Sequence, residues 1–325
     1  MRIGIDLGGT HTAAAFVDDN GLIVKRAEIP TDASGGAKTV ISGLLSVCEI
    51  LLRGPEAVPD EPDQKKQTVA RLPLSIGIGV PGTVDADKGE VIFTPNLPLR
   101  GADITGDLQK KFHCPVCIGN DANCAALGES VAGGAKGAQD AVLITLGTGV
   151  GGGVIIGGRL QTGVSGAAGE LGHMVIIAGG RACGCGRHGC LETYASATGL
   201  IRTAIEVIGT HKDGALLELC SGRTEKLNGR IIFEAFRLGD KAAQSIVGQY
   251  AEHLAAGIVN IINILDPEMI CIGGGISNEW DSLSPLLLAR VDAERFPHSP
   301  SKTAQTRIVR AELGNDAGII GAAML

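Results

Sequence analysis

Apolar positions alternate or run together in short blocks at the start of the chain. Ile3 to Leu7 reads as a buried strand, Gly8-Gly9-Thr10 as a turn, and Ala13 to Val17 as a second strand. Asp18-Asp19-Asn20-Gly21 carries strong hairpin-turn chemistry, and Leu22 to Ile29 supplies a third strand. A helix is predicted from about Ala37 to Leu52. The stretch Gly54 to Gln67, rich in Pro, Asp, Glu and Lys, reads as an exposed excursion before strand returns at Leu74 to Val80. Val116 to Ile118 is a further strand and leads into the Ala-rich run that begins at Ala122. Leu254, Ile258, Ile261 and Leu265 have the spacing of an amphipathic helix that stops at Asp266-Pro267. Met269 to Ile272 is then a short buried strand, Gly273-Gly274-Gly275 a tight turn, and Ile276 the approach to a new helix. Asp316 to Leu325, small and apolar, is expected to be a helix packed on the body.

The pattern repeats. IGIDLGGTHTAAAFV from Ile3 aligns with VLITLGTGVGGGVII from Val142, Leu7 falling on Leu146 and Gly8 on Gly147. One strand–glycine turn–strand unit is used twice, which predicts two related halves whose glycine turns face each other across a cleft.

The 325 residues exceed what one hydrophobic core ordinarily serves, so two domains are expected. Aromatic residues make up only 3%, which leaves the core to Ala, Val, Ile and Leu, while the 49 glycines gather at strand ends. A formal net charge of −7 without any basic run argues against nucleic acid and anionic membrane as partners. MRIGIDLGG lacks the apolar core of a signal peptide. No apolar run reaches the ~18 residues of a membrane span, so a cytoplasmic protein is expected.

Four segments carry chemistry. In DLGGTHT, backbone amides near Gly8 and Gly9 are able to approach phosphate oxygens, Thr10 and Thr12 add hydroxyls, and Asp6 is a candidate holder of Mg²⁺ through its water shell. A plain hairpin is the competing reading. LGTGVGGG contains a superficial GxGxxG, but Val154-Ile155-Ile156 continues as strand to Gly157-Gly158 where a dinucleotide site needs a helix. A phosphate-facing hairpin fits better. Asp121, at a strand-to-helix junction, is either a helix N-cap or a general base aimed into the cleft, and both readings stay open.

Nine cysteines do not close into a disulfide framework. Cys183, Cys185 and Cys190, with His173 upstream, make a tetrahedral set for structural Zn²⁺, His188 being a rival ligand. Glu170 and Glu192 would then be anchored beside the metal, well placed to read sugar hydroxyls. Cys114-Pro115-Val116-Cys117 has the spacing of a redox pair without the surrounding pattern of one.

Together these segments resemble the ROK family (repressors, uncharacterised frames and sugar kinases), and its bacterial glucokinase branch, over essentially the whole chain. DLGGTHT is similar to the first phosphate motif, GVPGTVD to the sugar-domain turn, and GNDANCAALGE to the catalytic segment. LGTGVGGGVIIGGRLQTGVSGAAGELGH is similar to the family signature, CGCGRHGCLETYAS to the zinc segment, and ICIGGGIS to the adenosine motif. The resemblance implies a two-lobed, actin-like (ribonuclease H-like) α/β ATPase fold. Residues 1–118 would form a small lobe joined by a C-terminal helix of about 308–325, and residues 119–307 a large lobe with the zinc segment. It implies ATP-dependent phosphorylation of a hexose at its 6-hydroxyl, D-glucose first, with Asp121 as base. N-acetylmannosamine, N-acetylglucosamine, allose and fructose are the alternative acceptors. By the same resemblance Gly82, Asn96, Asn120, Asp121, Glu170, His173 and Glu192 line the sugar. Asp6, Gly8, Gly9, Thr10, Thr12, Gly147, Thr148, Gly149, Gly273 and Gly274 would serve ATP and Mg²⁺. His173 would serve twice, one ring nitrogen on Zn²⁺ and the other toward the sugar. A homo-oligomer, dimer or tetramer, is implied as well. The family's sugar-responsive repressors carry a DNA-binding segment ahead of the first phosphate motif, for which Asp6 leaves no room here. Leu99 stands where glucokinases usually carry Trp, a departure that bears on local packing. An N-acetyl substituent would need a small apolar niche near the 2-position, and the sequence identifies no residues for one.

Overall fold

A computed structural model of the chain describes residues 1–53, 72–209, 214–296 and 305–325. The excursion expected over Gly54 to Gln67 lies outside the described residues.

Alternation along the first strand buries Ile3, Ile5 and Leu7 almost completely in β1 (Arg2–Leu7). The chain turns at residues 8–10 into β2 (His11–Val17), which pairs antiparallel with β1, Asp6 opposite Ala13. Asp18 Oδ1 then accepts the backbone N–H groups of Asn20 (2.9 Å) and Leu22 (2.8 Å), and Gly21 supplies a φ of 81°. That local turn sends the chain back as β3 (Ile23–Pro30). Helix α1 (Ala37–Leu52) buries Val40, Leu44, Val47 and Leu51, one apolar stripe at helical spacing. β4 (Ile76–Val80), buried throughout, lies parallel to β1. A small sheet follows, made of β5 (Thr83–Asp85), β6 (Glu90–Phe93) and β7 (Ala102–Asp103). After α2 (Gly106–Phe112), β8 (Val116–Asn120) completes the first large sheet in the order β3-β2-β1-β4-β8 and runs into α3 (Asp121–Ala132).

The second half repeats the plan. β9 (Ala141–Leu146) and β10 (Val150–Ile156) form the second glycine hairpin, with Gly152 opposite Ile144. Gly157 and Gly158, at φ of 58° and 71°, turn the chain tightly into β11 (Arg159–Leu160). A 3₁₀ turn at Leu171–His173 and the cysteine segment precede five helices: α4 (Glu192–Ala195), α5 (Ala197–Ile208), α6 (Ala215–Leu219), α7 (Gly229–Arg237) and α8 (Lys241–Leu265). Helix α8 starts well before the stripe read at Leu254. It is capped by Asp240, which accepts the Ala243 N–H (2.8 Å), and stopped by Asp266 at φ 42° before Pro267. β12 (Met269–Gly273) lies parallel to β9. The helix expected from Ile276 opens as a 3₁₀ turn, Gly275–Glu279, before α9 (Trp280–Glu294). β13 (Arg307–Arg310) completes the sheet order β11-β10-β9-β12-β13. Both large sheets thus place an antiparallel hairpin beside a parallel strand.

Helix α10 (Asp316–Ala323) packs on α3, β1 and β4 with its backbone nearly touching theirs. A Cβ added at Gly4 would sit 1.9 Å from the Ile319 carbonyl oxygen, and one at Gly77 would sit 1.7 Å from that of Ala322. This close approach explains why the C-terminal run is so rich in small residues. Two expected boundaries shift. The C-terminal helix begins at Asp316 rather than about 308, because Arg307–Arg310 pair with β12 in the second sheet. The division at 118 falls inside β8. Leu99, at the position where the resemblance leads to Trp, is fully buried among the apolar side chains packed on the first sheet. Among the described residues no helix is long and apolar enough to cross a membrane.

Candidate active site

The carboxyl ends of β4 and β8 face the β9–β10 hairpin across a cleft of about 730 Å³. Gly82, Asn120, Asp121, Glu170, His173 and Glu192 all line it, and Gly147, Gly149 and Gly274 line it from the second half. Asn96 is exposed and is not among the residues lining the cleft, which its neighbour Pro95 does line; a Cβ added at Gly9 would lie 3.6 Å from the Asn96 Cβ.

The junction of β8 and α3 separates two roles that the sequence left merged. Asn120, not Asp121, is the N-cap: its Oδ1 accepts the Asn123 N–H (3.0 Å). Its Nδ2 donates to the Gly82 carbonyl and to Asp121 Oδ1, both at 2.9 Å. Asn120 is therefore spent on holding the loop after β4 and the Asp121 carboxylate. Asp121, the first residue of α3, also accepts the Ala122 N–H at Oδ1 (2.8 Å), and no other residue's donor reaches Oδ2 among the described residues. Burial pushes its pKa up, three local hydrogen bonds oppose that, and the Glu170 carboxylate adds to the rise.

Asp6 lies close enough for the two carboxylates to feel each other. Burial first, and then Asp121, raise its pKa from 3.8 to about 6, while Arg26 pulls the other way. A carboxyl whose pKa is higher folded than unfolded binds more protons in the folded chain, so its contribution to stability falls as pH rises from about 4 to about 6. Asp6→Asn should accordingly raise the melting temperature of the ligand-free protein at pH 7.5. The gain should shrink toward pH 4, where wild-type Asp6 is already protonated in the folded chain. Equal melting temperatures at pH 7.5, followed by calorimetry, would mean that no burial penalty exists.

The first glycine turn is organised by Thr12 and Thr31. Their hydroxyls are 2.8 Å apart, and Thr31 Oγ1 donates to the Gly8 carbonyl (2.8 Å). Thr12 is 3% exposed, so it supports the turn from beneath instead of projecting a hydroxyl toward a ligand. Gly9 and Thr10 are exposed, Thr10 Oγ1 lying 3.1 Å from His11 Nδ1. Neither Asp6 nor the turn residues Gly8, Gly9, Thr10 and Thr12 are among the side chains that wall the cleft itself. In the second turn, Gly147 N–H donates to the Gly149 carbonyl (3.0 Å), and Thr148 accepts at its carbonyl from Thr198 Oγ1 (2.9 Å). Thr148 opens onto a smaller adjoining recess with Ser196, Thr198 and Arg202. Gly273 and Gly274 border another recess, beside Asn278 and Arg310. A Cβ at Gly274 would lie 2.5 Å from the Leu146 carbonyl oxygen, so only glycine fits where β12 passes β9.

His173, Cys183, Cys185 and Cys190 converge, their ligand atoms all within 4.8 Å of one another. Cys185 and Cys190 Sγ are 3.7 Å apart, and Cys183 Sγ is 3.6 Å from His173 Nδ1. Sulfurs at ~2.3 Å from a tetrahedral Zn²⁺ would be separated by about 3.8 Å, so the donor set and its spacing fit that ion. His188 is exposed and outside the group. The other ring nitrogen of His173, Nε2, lies 3.9 Å from Glu170 Oε2. Glu192, in the first turn of α4, accepts the Val150 N–H at Oε2 (3.1 Å) and has Oε1 3.9 Å from Cys183 Sγ. The cysteine group thus stands directly behind the cleft carboxylates. Arg181 ties this segment to the helices behind it: its guanidinium donates to the Thr193 carbonyl (3.0 Å) and to Thr203 Oγ1 (3.0 Å), and its N–H donates to Tyr194 Oη (2.7 Å).

Two features escaped the sequence. Asn123 lines the cleft with its amide oxygen buried and unpartnered. A second cavity of about 460 Å³ adjoins the cleft through Asn120, Asn123 and Gly166, and Val84, Ile92, Ile118, Leu160 and Leu325 give it an apolar wall. A recess with an apolar wall, which the sequence did not identify, thus adjoins the cleft, drawn from four strands and the last residue of the chain.

An α/β protein with two mixed sheets, a repeated glycine hairpin and a carboxylate-lined cleft between the repeats is the architecture of the ROK sugar kinases. The ROK family model matches residues 2–325, and the chain belongs to the ROK family. It is similar to a glucokinase of Halalkalibacterium halodurans, 38% identical over 324 residues covering 99% of this chain and 94% of that one. Among solved structures it resembles a ROK family glucokinase from Streptomyces griseus in complex with glucose and AMPPNP. That match has 32% identity and a TM-score of 0.75, covering 99% of this chain and 98% of the other. A ROK hexokinase from Thermus thermophilus matches at 30% identity with a TM-score of 0.78, over 99% and 96% of the two chains.

Proposed function

We propose that this protein is an ATP-dependent glucokinase, which transfers the γ-phosphoryl group of ATP to the 6-hydroxyl of D-glucose and feeds glycolysis in the cytoplasm. The observation that carries this reading is the Asp121 carboxylate, fixed through Oδ1 and open at Oδ2, in one cleft with Glu170, His173 and Glu192. Asp121 Oδ2 takes the proton of the 6-hydroxyl as the oxygen attacks phosphorus, the bond to the β,γ-bridging oxygen breaks, and ADP leaves. A carboxylate made more basic by burial is better suited to that task than one in water.

Glu170, Glu192 and His173 Nε2 hold the ring hydroxyls, with Asn96 and the Gly82 backbone at the rim and Asn120 as the group that positions Asp121. Gly8, Gly9, Thr10, Gly147, Thr148, Gly149, Gly273 and Gly274 form the nucleotide side, and Thr12 keeps the first turn in shape. Asp6 would hold Mg²⁺ through its water shell, and the crowding of its buried carboxylate with Asp121 is the kind of charge that a cation relieves. That ion, when bound, supplies neutralisation of the phosphate charge. His173 Nδ1, Cys183, Cys185 and Cys190 would hold Zn²⁺, which supplies a rigid anchor for the two residues reading the sugar. The two large sheets are the cores of two lobes that close on the substrates, and the enzyme works as a homo-oligomer.

Coupled ADP-release assays across glucose, mannose, fructose, allose, N-acetylglucosamine and N-acetylmannosamine test the acceptor. Glucose should give the highest kcat/KM. The apolar side cavity makes the N-acetyl sugars the decisive comparison, and a higher value for either of them would replace glucokinase with an amino-sugar kinase.

A further inference from the structure

Asn123 occupies the third position of α3, where its backbone N–H is satisfied by Asn120 Oδ1. Its side chain is 3% exposed, and its Oδ1 is buried without a hydrogen-bond partner among the described residues. Buried acceptors left unpaired are rare and destabilising, so this one needs a reason. Gly169 lies against this oxygen, in the segment 161–170 that joins β11 to the 3₁₀ turn carrying His173, while Gly153 of β10 packs on the Asn123 backbone. A Cβ added at Gly169 would lie 3.3 Å from Asn123 Oδ1. On either side this segment is tied down: Ala168 N–H donates to the Thr162 carbonyl (3.0 Å) and Leu171 N–H to that of Gly169 (2.6 Å). Between those ties, the N–H groups of Gly169 and Glu170 donate to nothing among the described residues. A free acceptor therefore stands beside two free donors, one of them belonging to the sugar-reading Glu170. Gly169 sits at φ 90°, a backbone conformation that favours glycine and holds its N–H close beside Asn123.

We propose that Asn123 is a positioning residue for the sugar site: with sugar in the cleft, its Oδ1 accepts a backbone N–H of Gly169–Glu170 and fixes Glu170 against the ring. This rests on the hexose-kinase reading and adds a residue to it. Asn123 lies on the helix that Asp121 begins, so the same contact sets the base and the sugar-reading carboxylate in one frame.

Asn123→Leu keeps the branched outline of the side chain, is somewhat bulkier, and has no polar atom. In the ligand-free protein it removes an unsatisfied acceptor, so the melting temperature should hold or rise. The glucose KM should nevertheless increase roughly three- to tenfold, the size of one lost neutral hydrogen bond, with the ATP KM unchanged. Glucose should also slow backbone amide exchange over residues 167–171 in the wild type and fail to do so in the variant. Asn123→Ala gives the same readings if the leucine variant does not fold. A folded variant with wild-type glucose KM, or with glucose and ATP KM raised equally, overturns the proposal. A wild type that phosphorylates no hexose overturns the kinase reading instead, and the exchange measurement on bound glucose still judges Asn123.

Discussion

Asp121→Asn should lower kcat by ~10²–10⁴ while the glucose dissociation constant stays within a few-fold of wild type. The asymmetry follows from which oxygen does what. The amide oxygen of the variant is able to keep both hydrogen bonds that Oδ1 receives, from Ala122 N–H and Asn120 Nδ2, so the side chain stays in place. The second oxygen becomes an NH₂ group, which cannot take a proton. Removing the charge also relieves Asp6, so the variant should melt at a higher temperature than wild type near neutral pH. Rapid-quench measurement of kcat, with titration calorimetry for glucose, separates these effects. A variant retaining more than about a tenth of kcat would reduce Asp121 to a residue of the helix start.

Cys185→Ser should lower thermal stability and glucose affinity together. Freshly prepared wild type should contain one Zn²⁺ per chain by elemental analysis. The coupling arises because Cys183 lies 3.6 Å from His173 Nδ1 and 3.9 Å from Glu192 Oε1, so a loosened cluster lets both cleft-lining side chains drift. Disturbing such supporting contacts commonly costs ~10–100-fold in affinity or activity. Cys114→Ser, far from the cluster in sequence and fold, is the control and should change neither. Active enzyme free of zinc would remove the anchor from this account.

What could be read from the sequence was whatever repeats or stays local. The two glycine hairpins are visible because strand, glycine turn and strand recur with the same apolar positions, and Asp18 closes its turn with bonds to Asn20 and Leu22. The four metal-type ligands lie within a short span and announce themselves by residue type. Contacts between distant segments were not legible. Thr12 resembles a phosphate-binding hydroxyl until Thr31, a strand away, is seen to hold it. Asn120 and Asp121 are both good capping residues, and only the backbone shows which of them starts the helix. The side cavity draws Val84, Ile92, Ile118 and Leu160 from four strands and Leu325 from the end of the chain, so no local pattern could flag it. Asn123 was hidden for a different reason: an unpaired buried atom is a property of packing, invisible to any motif.

The most direct measurement is the identity of the product. Wild-type protein incubated with D-glucose, ATP and Mg²⁺ should release ADP and form glucose 6-phosphate in equal amounts, with ³¹P NMR placing the new ester on the 6-hydroxyl. ADP released without a sugar phosphate, or an ester at another position, would contradict the claim that Asp121 directs the 6-hydroxyl of glucose at the γ-phosphate.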